Sequence, residues 1–312
     1  MCQLKSGIAL KDRIYVPNHD DYEQMLQELG IKDNYSGANE TFVSWELLPP
    51  YGDLRTPVAE WILNVDQDIT PDWWDEEARK PEIVQAVEAW AKEYVIRDGM
   101  REVRGGMYYA CGDSQVMAKD GSHVTAWGNS HVTAWGNSKV VAQDNSQVMA
   151  REKSEVAAYG DSYVRAMDNS QVKAFDNSYV RAWGNSQVEA WSDSQITALE
   201  KSQIKAFGDG QVTAWDDSQV TAYGSSHVTA RKNSQVTARD YSYVMAMENS
   251  KVEAFGSSYV MAWGNRQVTA WDDSQVTVFG NTQIEALDDS IIICPSTKTI
   301  SVAAGYKVEI RQ

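Results

Sequence analysis

Cysteine, proline and histidine are scarce in this chain of 312 residues, and no long apolar run interrupts it. Cys2, Cys111 and Cys294 are odd in number and far apart, so no disulfide framework is legible. No window approaches the roughly 18 apolar residues of a membrane span. The opening MCQLKSGIALKDRIYV carries Lys5, Lys11, Asp12 and Arg13 in place of a signal-peptide core. These absences point to a reducing cytoplasm, in a bacterium or in a host that makes a viral protein. Basic charge is short as well. The chain has 28 Lys and Arg against 44 Asp and Glu, a net charge of −16, which argues against gripping a nucleic-acid backbone by counterion release. The imbalance is concentrated in residues 1–100, with 20 acidic and 9 basic side chains. An acidic front end on a nearly balanced remainder predicts two parts with separate jobs. The competing reading is that the acidity merely keeps a long repeat soluble.

What the chain has in abundance is one phrase. The stretch SHVTAWGNSHVTAWGN, from Ser122 to Asn137, is the same eight residues twice. From Ser114 to Thr297 the sequence divides into 23 octads without a gap, and a weaker copy, Gly106 to Asp113, precedes them. Position 1 is Ser in all but Gly210, Arg266 and Thr282, and position 3 is always Val or Ile. Position 5 is Ala except at Val278 and Cys294, while positions 7 and 8 are mostly Gly, Asp and Asn. Small or β-branched residues alternating with polar and aromatic ones have the period of a strand buried on one face. Gly and Asx close the phrase with turn chemistry, because they reach positive φ cheaply or bond their own backbone. Each octad is predicted as five or six strand residues and a short corner.

So short a strand buries nothing alone, and the units must stack as a solenoid. One octad, at roughly 3.3 Å per residue, encloses too little space for side chains from opposite walls. Two octads make a flattened coil of sixteen residues. The segment starting at Ser154 returns as a near copy from Ser234, an offset of 80 residues or five such coils. The predicted fold class is mostly β, a β-solenoid over 106–297. An acidic α+β head over 1–100 precedes it and a capping hairpin over 298–312, turning near Gly305, closes it. Within the head, Ile14 to Val16, Thr41 to Leu48 and Trp61 to Val65 read as strands. Asp20 to Leu29 and Pro81 to Val95 read as helices.

Phrases such as A-W-G-N-S-Q-V-T and A-Y-G-S-S-H-V-T resemble the octads of bacterial ice nucleation proteins. Those octads read A-G-Y-G-S-T-x-T and pair into sixteen-residue coils of a β-solenoid. The resemblance covers the array alone; it implies the coil and the fold, and with less force an activity toward ice. That family uses regularly spaced outward Thr pairs on a flat face. Here position 4 mixes Thr213, Thr221 and Thr229 with Arg165, Lys173, Arg181, Glu189 and Lys205. The opening MCQLKSG and the acidic segment after it resemble uncharacterised phage and gut-bacterial proteins, without a motif that carries a role.

Pairing the octads places position 6 in two columns. One holds Trp127, Tyr159, Phe175, Trp191, Phe207, Tyr223, Phe255 and Trp271, interrupted by Gln143 and Arg239. The other holds Trp135, Trp183, Trp215 and Trp263, interspersed with Arg151, Met167, Arg231 and Met247. Outward parity predicts rings stacked up the rod, with ring–ring and Arg–ring contacts stabilising each column. A long, partly exposed apolar strip also marks a contact surface. In the head, Asp66, Asp68, Asp72, Trp73 and Trp74 gather acid and tryptophan in a predicted loop, the candidate contact site of that part. Ile291 and Ile293 in the last octad are candidate oligomer contacts. His123, His131 and His227 occupy the outward position 2, and the Asp pairs at 216–217, 272–273 and 288–289 occupy corners. Surface placement and turn formation account for both, so no metal, cofactor or catalytic residue is assigned.

The expected role is a non-enzymatic rigid scaffold or binding protein that self-associates or captures a protein partner. No direct nucleic-acid, membrane or small-molecule partner is expected. Three alternatives stay open. One is an ice-binding rod. Another is an acidic inhibitor that mimics a nucleic-acid surface and binds a nucleic-acid-binding or defence protein, by analogy with other acidic solenoids. The third is an amidotransferase-like enzyme in which Cys2, exposed by removal of Met1, attacks with its own amine as base. That chemistry needs a large layered α/β body, which about 100 residues hardly supply.

Overall fold

The computed structural model describes residues 5–32, 41–264, 266–280, 282–294, 301–304 and 309–311. Cys2, Thr297 and Gly305 lie outside them. In the head, β1 (Lys5–Leu10), β2 (Ile14–Tyr15), β3 (Phe42–Leu48) and β4 (Ile62–Val65) form an antiparallel sheet in the order β2-β1-β3-β4. The segment KSGIAL of β1 buries four of its six residues, on both faces, so no alternation announces it. Gly7 is required there, because a Cβ would lie 2.3 Å from the Trp45 ring and 2.5 Å from the Tyr15 carbonyl. Helix α1 (Tyr22–Leu29) starts where Asp21 accepts from the Gln24 N–H and stops at Gly30, whose φ of 67° no side chain contests.

Helix α2 (Glu76–Tyr94) begins earlier than the start expected at Pro81. Asp75 caps it, accepting from the Ala78 N–H at 3.2 Å, and Glu76 and Glu77 suit the positive end of the helix dipole. Pro81 lies within the helix, where its missing N–H forfeits one i→i−4 bond. The buried side of α2, Ile83, Val87, Trp90 and Ala91, shares one core with Trp45, Trp61, Val95 and Cys111. Head and rod are therefore joined by packing as well as by the chain.

The rod starts at once after α2. Strands β5 (Val95–Ile96), β6 (Met100–Arg104) and β7 (Met107–Ala110) already belong to its stacks, ahead of the boundary expected at residue 106. From β8 (Gln115–Lys119) to β30 (Ile291–Ile293) there is one strand per octad. Even-numbered strands form one parallel sheet of 14 strands and odd-numbered strands form the other. Between β7 and β30 each strand pairs with those sixteen residues away, as Val132 with Val116 and Val148, whereas the pairings at the two ends have other offsets, as Val95 with Tyr109 and Ile291 with Glu309. At the usual spacing of roughly 4.8 Å the stack is about 60 Å long. The described strands beyond it, β31 (Ser301–Ala304) and β32 (Glu309–Arg311), pair in parallel with β29 (Thr282–Ala286) and β30. A hairpin would have paired them with each other. These strands instead extend the two parallel sheets by one strand each.

Inside, Ser, Val and Ala of positions 1, 3 and 5 are buried from both walls, at 0 to 3% exposure along the array. Among the described side chains of the array, none at these positions is larger than Ile. Ser138, Ser154, Ser194 and Ser242 donate to the carbonyl three residues back at 2.7 to 2.8 Å. Ser226 donates to the Tyr223 carbonyl in the same way and Ser122 meets Ser138, whereas the hydroxyls of the remaining array serines, Ser130, Ser146 and Ser170 among them, are buried without a hydrogen-bond partner. Strands are shorter than expected, four residues such as Gln147–Ala150, because position 7 turns left-handed. Gly128 has φ 64° and Asp144 φ 57°. That turn pulls position 6 out of the strand and into the corner.

Candidate functional site

The corners come first, because they position the rings. A non-glycine residue in the left-handed region costs on the order of 1 kcal/mol or more. Here the carboxylates of position 7 return a bond for it, reaching back one coil to a corner N–H. Asp144 accepts from Gly128 at 3.2 Å, Asp176 from Gly160 at 3.1 Å, and Asp240 from Gly224 at 3.0 Å. Glu152, Glu200 and Asp272 do the same for Gly136, Gly184 and Gly256. Much of the acidity along the rod edges is thus corner chemistry.

The aromatic columns form as the register requires. Tyr159, Phe175, Trp191, Phe207 and Tyr223 stack in one unbroken run, with centroids 4.8 to 5.2 Å apart and planes within 15°. Phe255 and Trp271 stack at 6.0 Å, with Arg239 5.0 Å from the Phe255 ring. In the second column Arg151 lies 4.6 Å from the Trp135 ring, Arg231 4.8 Å from Trp215, and Trp263 stacks on Phe279 at 5.3 Å. Trp183 stands half-buried between Met167 and Leu199. Trp127 stacks on Tyr109 at 5.9 Å and donates its indole N–H to Gln143. Since Tyr109 also meets Trp90 of α2, at 5.5 Å, this column continues into the head. The rings are half-buried, Tyr159 being exposed at 37%. Stacking covers their faces and leaves their edges toward solvent.

The broad walls differ from each other in a way that position-by-position reading of the octad hides. On the odd-numbered strands, positions 2 and 4 carry Lys139, Lys173, Lys205 and Lys251 among Glu155, Glu189, Glu253 and Glu285. Lys139 pairs with Glu155 at 3.3 Å and Lys205 with Glu189 at 3.8 Å. An open groove of about 500 Å³ runs here, floored by Val141 and Ala157 between the longer charged chains. On the even-numbered strands the same positions, from Gln115 to Ile293, hold no Asp or Glu at all. They present Gln, Thr, Met, Tyr and His, and Ile in the last octad, with Arg165 and Arg181 the charged exceptions. A second set of ring stacks stands on this wall. Tyr163 meets Tyr179 at 5.3 Å, and Tyr243 meets Tyr259 at 5.4 Å. The Tyr179 and Tyr259 hydroxyls reach Thr197 and Thr277 in the next coil, at 3.1 and 2.9 Å. These tyrosines escaped the sequence reading; sorting the octads into alternating sets, applied there only to position 6, finds them when applied to position 2.

Other expected sites separate in space. In the head loop Asp66, Asp68 and Asp72 are exposed, whereas Trp73 and Trp74 pack inward on the head core with Arg79 5.5 Å from the Trp73 ring. Gln67 pins the loop by accepting from the Ser44 N–H at 2.9 Å. Acid and tryptophan thus do not share one surface. Ile291 and Ile293 are half-buried on the carboxylate-free wall. A cleft of about 360 Å³ lies where the head meets the first corners, lined by Tyr51, Asp53, Arg55, Cys111, Trp127 and Asp144. Burial pushes the Cys111 thiol up, opposite to what a nucleophile needs. Among the described residues no three His, Cys, Asp or Glu side chains gather as a metal site would, and no helix is long and apolar enough to cross a membrane. Compared with protein-family models, curated proteins and solved structures, the chain matches none. The geometry defines a two-walled β-solenoid of sixteen-residue coils with a docked α+β head.

Proposed function

We propose that the chain is a non-enzymatic rigid scaffold whose rod self-associates or captures a protein partner along its outer surface. One observation carries the reading. A protein of net charge −16 keeps a whole wall free of carboxylates from Gln115 to Ile293. Sorting charge away from one surface removes repulsion where two surfaces meet, and a stiff rod holds that surface in register over its length. The ring edges of the corner columns flank this wall and extend the contact. The likeness to ice nucleation repeats supports the coil more than the activity, because the outward threonines are broken up. On the carboxylate-free wall Thr197, Thr213 and Thr229 align, and Met245 ends the run.

The test is hydroxyl-radical footprinting of the full chain, dilute and purified against the same chain in extract of its native host. Protection of the carboxylate-free wall and the corner rings in extract is the expected result. Equal labelling of both walls in the two conditions would overturn the reading.

A further inference from the structure

The carboxylate-free wall carries its tyrosines as two pairs, Tyr163 with Tyr179 and Tyr243 with Tyr259, five coils apart. Their neighbours at position 4 differ: Arg165 and Arg181 beside the first pair, Met245 and Met261 beside the second. The pairs lie at equal distances from the coil of Gln211 and Thr213. A two-fold axis through that coil, parallel to the strands, sets the Arg-bearing pair of one copy over the Met-bearing pair of another. We propose that this wall seats a second copy of the chain, docked face to face with the two rods antiparallel about that axis. The proposal rests on the scaffold reading and names its occupant.

Three arguments converge on a second copy. The first is charge. Antiparallel docking buries no carboxylate, places each Arg against thioether and aromatic ring, and keeps the arginines of the two copies four or more coils apart. It also sends the heads, with 20 acidic and 9 basic side chains in residues 1–100 and hence a net −11 each, to opposite ends. A parallel arrangement would crowd them together. The second argument is area. Eleven coils at roughly 4.8 Å, by a strand width of roughly 13 Å, give about 700 Å² per copy, close to the usual 800 Å² or so per partner of a stable complex. The third is composition. Tyr, Met and Arg are the residues that interface cores favour, and the Lys and Glu that interfaces shun stand on the opposite wall.

The purified full chain is expected to scatter as twice its 34.9 kDa mass. Two variants then separate this geometry from general charge effects. Thr213→Glu brings two carboxylates together on the axis and is expected to weaken the dimer by about tenfold or more. The double variant Met245→Glu with Met261→Glu adds more negative charge, yet sets each new carboxylate against an Arg of the partner, so the dimer holds or tightens. Both variants keep the coil, since Glu189 and Glu253 already occupy position 4 on the opposite wall. A monomer at on the order of 100 µM overturns the inference. So does a dimer that responds alike to both variants or to neither. If such a monomer is still protected along its rod in host extract, the scaffold reading stands and this occupant alone is removed; without protection both fall.

Discussion

In the head the core is a set of unlike and mostly large side chains, Trp45, Trp61, Phe42, Ile8 and Ile83, each used once. In the rod it is Ser, Val and Ala, repeated coil after coil, with nothing larger than Ile among the described residues that are fully buried, and Tyr108 packed against its first coil. The head also buries a charge. Lys5 is 1% exposed, 2.6 Å from Asp20 and 5.3 Å from the Trp90 ring, and burial draws its pKa down while Asp20 opposes the shift. The rod keeps its charges at corners and outer walls. The difference teaches which direction of change each part tolerates. A head built from unique large residues fails when one is cut away. A solenoid built from small residues fails when one is enlarged, because both walls are held at fixed separation by the coils above and below.

That contrast can be broken or sharpened in order of effect. Trp45→Ala is expected to cost about 3–5 kcal/mol, read as loss of the head transition in thermal denaturation while the rod's β signal persists. The enlargement Ala190→Leu, at a site with 0% exposure, is expected to cost about 1–3 kcal/mol and to open a protease site near the middle of the rod. Equal tolerance of the two changes would erase the distinction. Removing one ladder ring, Trp191→Ala, loses stacks at 4.9 and 5.2 Å and is expected to cost about 1–2 kcal/mol by chemical denaturation. At a corner, Asp240→Ala loses the bond to Gly224 while keeping the left-handed strain, for about 1 kcal/mol. Asp240→Gly loses the same bond but relieves the strain, and is expected to come out near neutral.

The smallest effect belongs to the head surface. Hydrogen bonds from Tyr15, His19 and Gln24 hold the Glu28 carboxyl down to about 2, and Tyr15 is raised to about 12, by burial first and then by Glu28. A depressed carboxylate stabilises fully above its ordinary range. That contribution fades as pH falls through about 2, so carbon-detected NMR should show Glu28 titrating there, well below an exposed glutamate. An ordinary Glu28 midpoint would mean that the clasp between β2 and α1 is open in solution.

The rod was legible almost in full, and the reason is redundancy. Val or Ile at every third position, Ala at nearly every fifth and Ser at nearly every first leave one way to bury a face, and the 80-residue duplication is consistent with the paired octads of the coil. What misled there was the corner: left-handed φ at residues such as Asp144, Glu152 and Lys232 shortened each strand and drew the rings half inside. The head was legible only where caps and alternation marked it. Helix α1 falls within the expected Asp20 to Leu29, bracketed by Asp21 and Gly30, but Pro81 mimicked a helix start, and β1, buried on both faces, showed no period. Of the candidate contacts, the columns were found because position 6 was sorted by alternate octads, and the tyrosine pairs were missed because position 2 was not. The acid and tryptophan of the head loop looked like one site because they adjoin in the chain, and hydrophobic burial parted them.

By itself, then, the sequence determined the sixteen-residue coil, its slender interior and the columns at its edges, since periodicity and residue size are local facts that stacking only multiplies. The tertiary structure decided which octads share a wall's chemistry, where the helix merges into the first coil, and how the chain end continues the sheets. Those outcomes depend on packing between segments far apart in the chain, and no single octad contains that information.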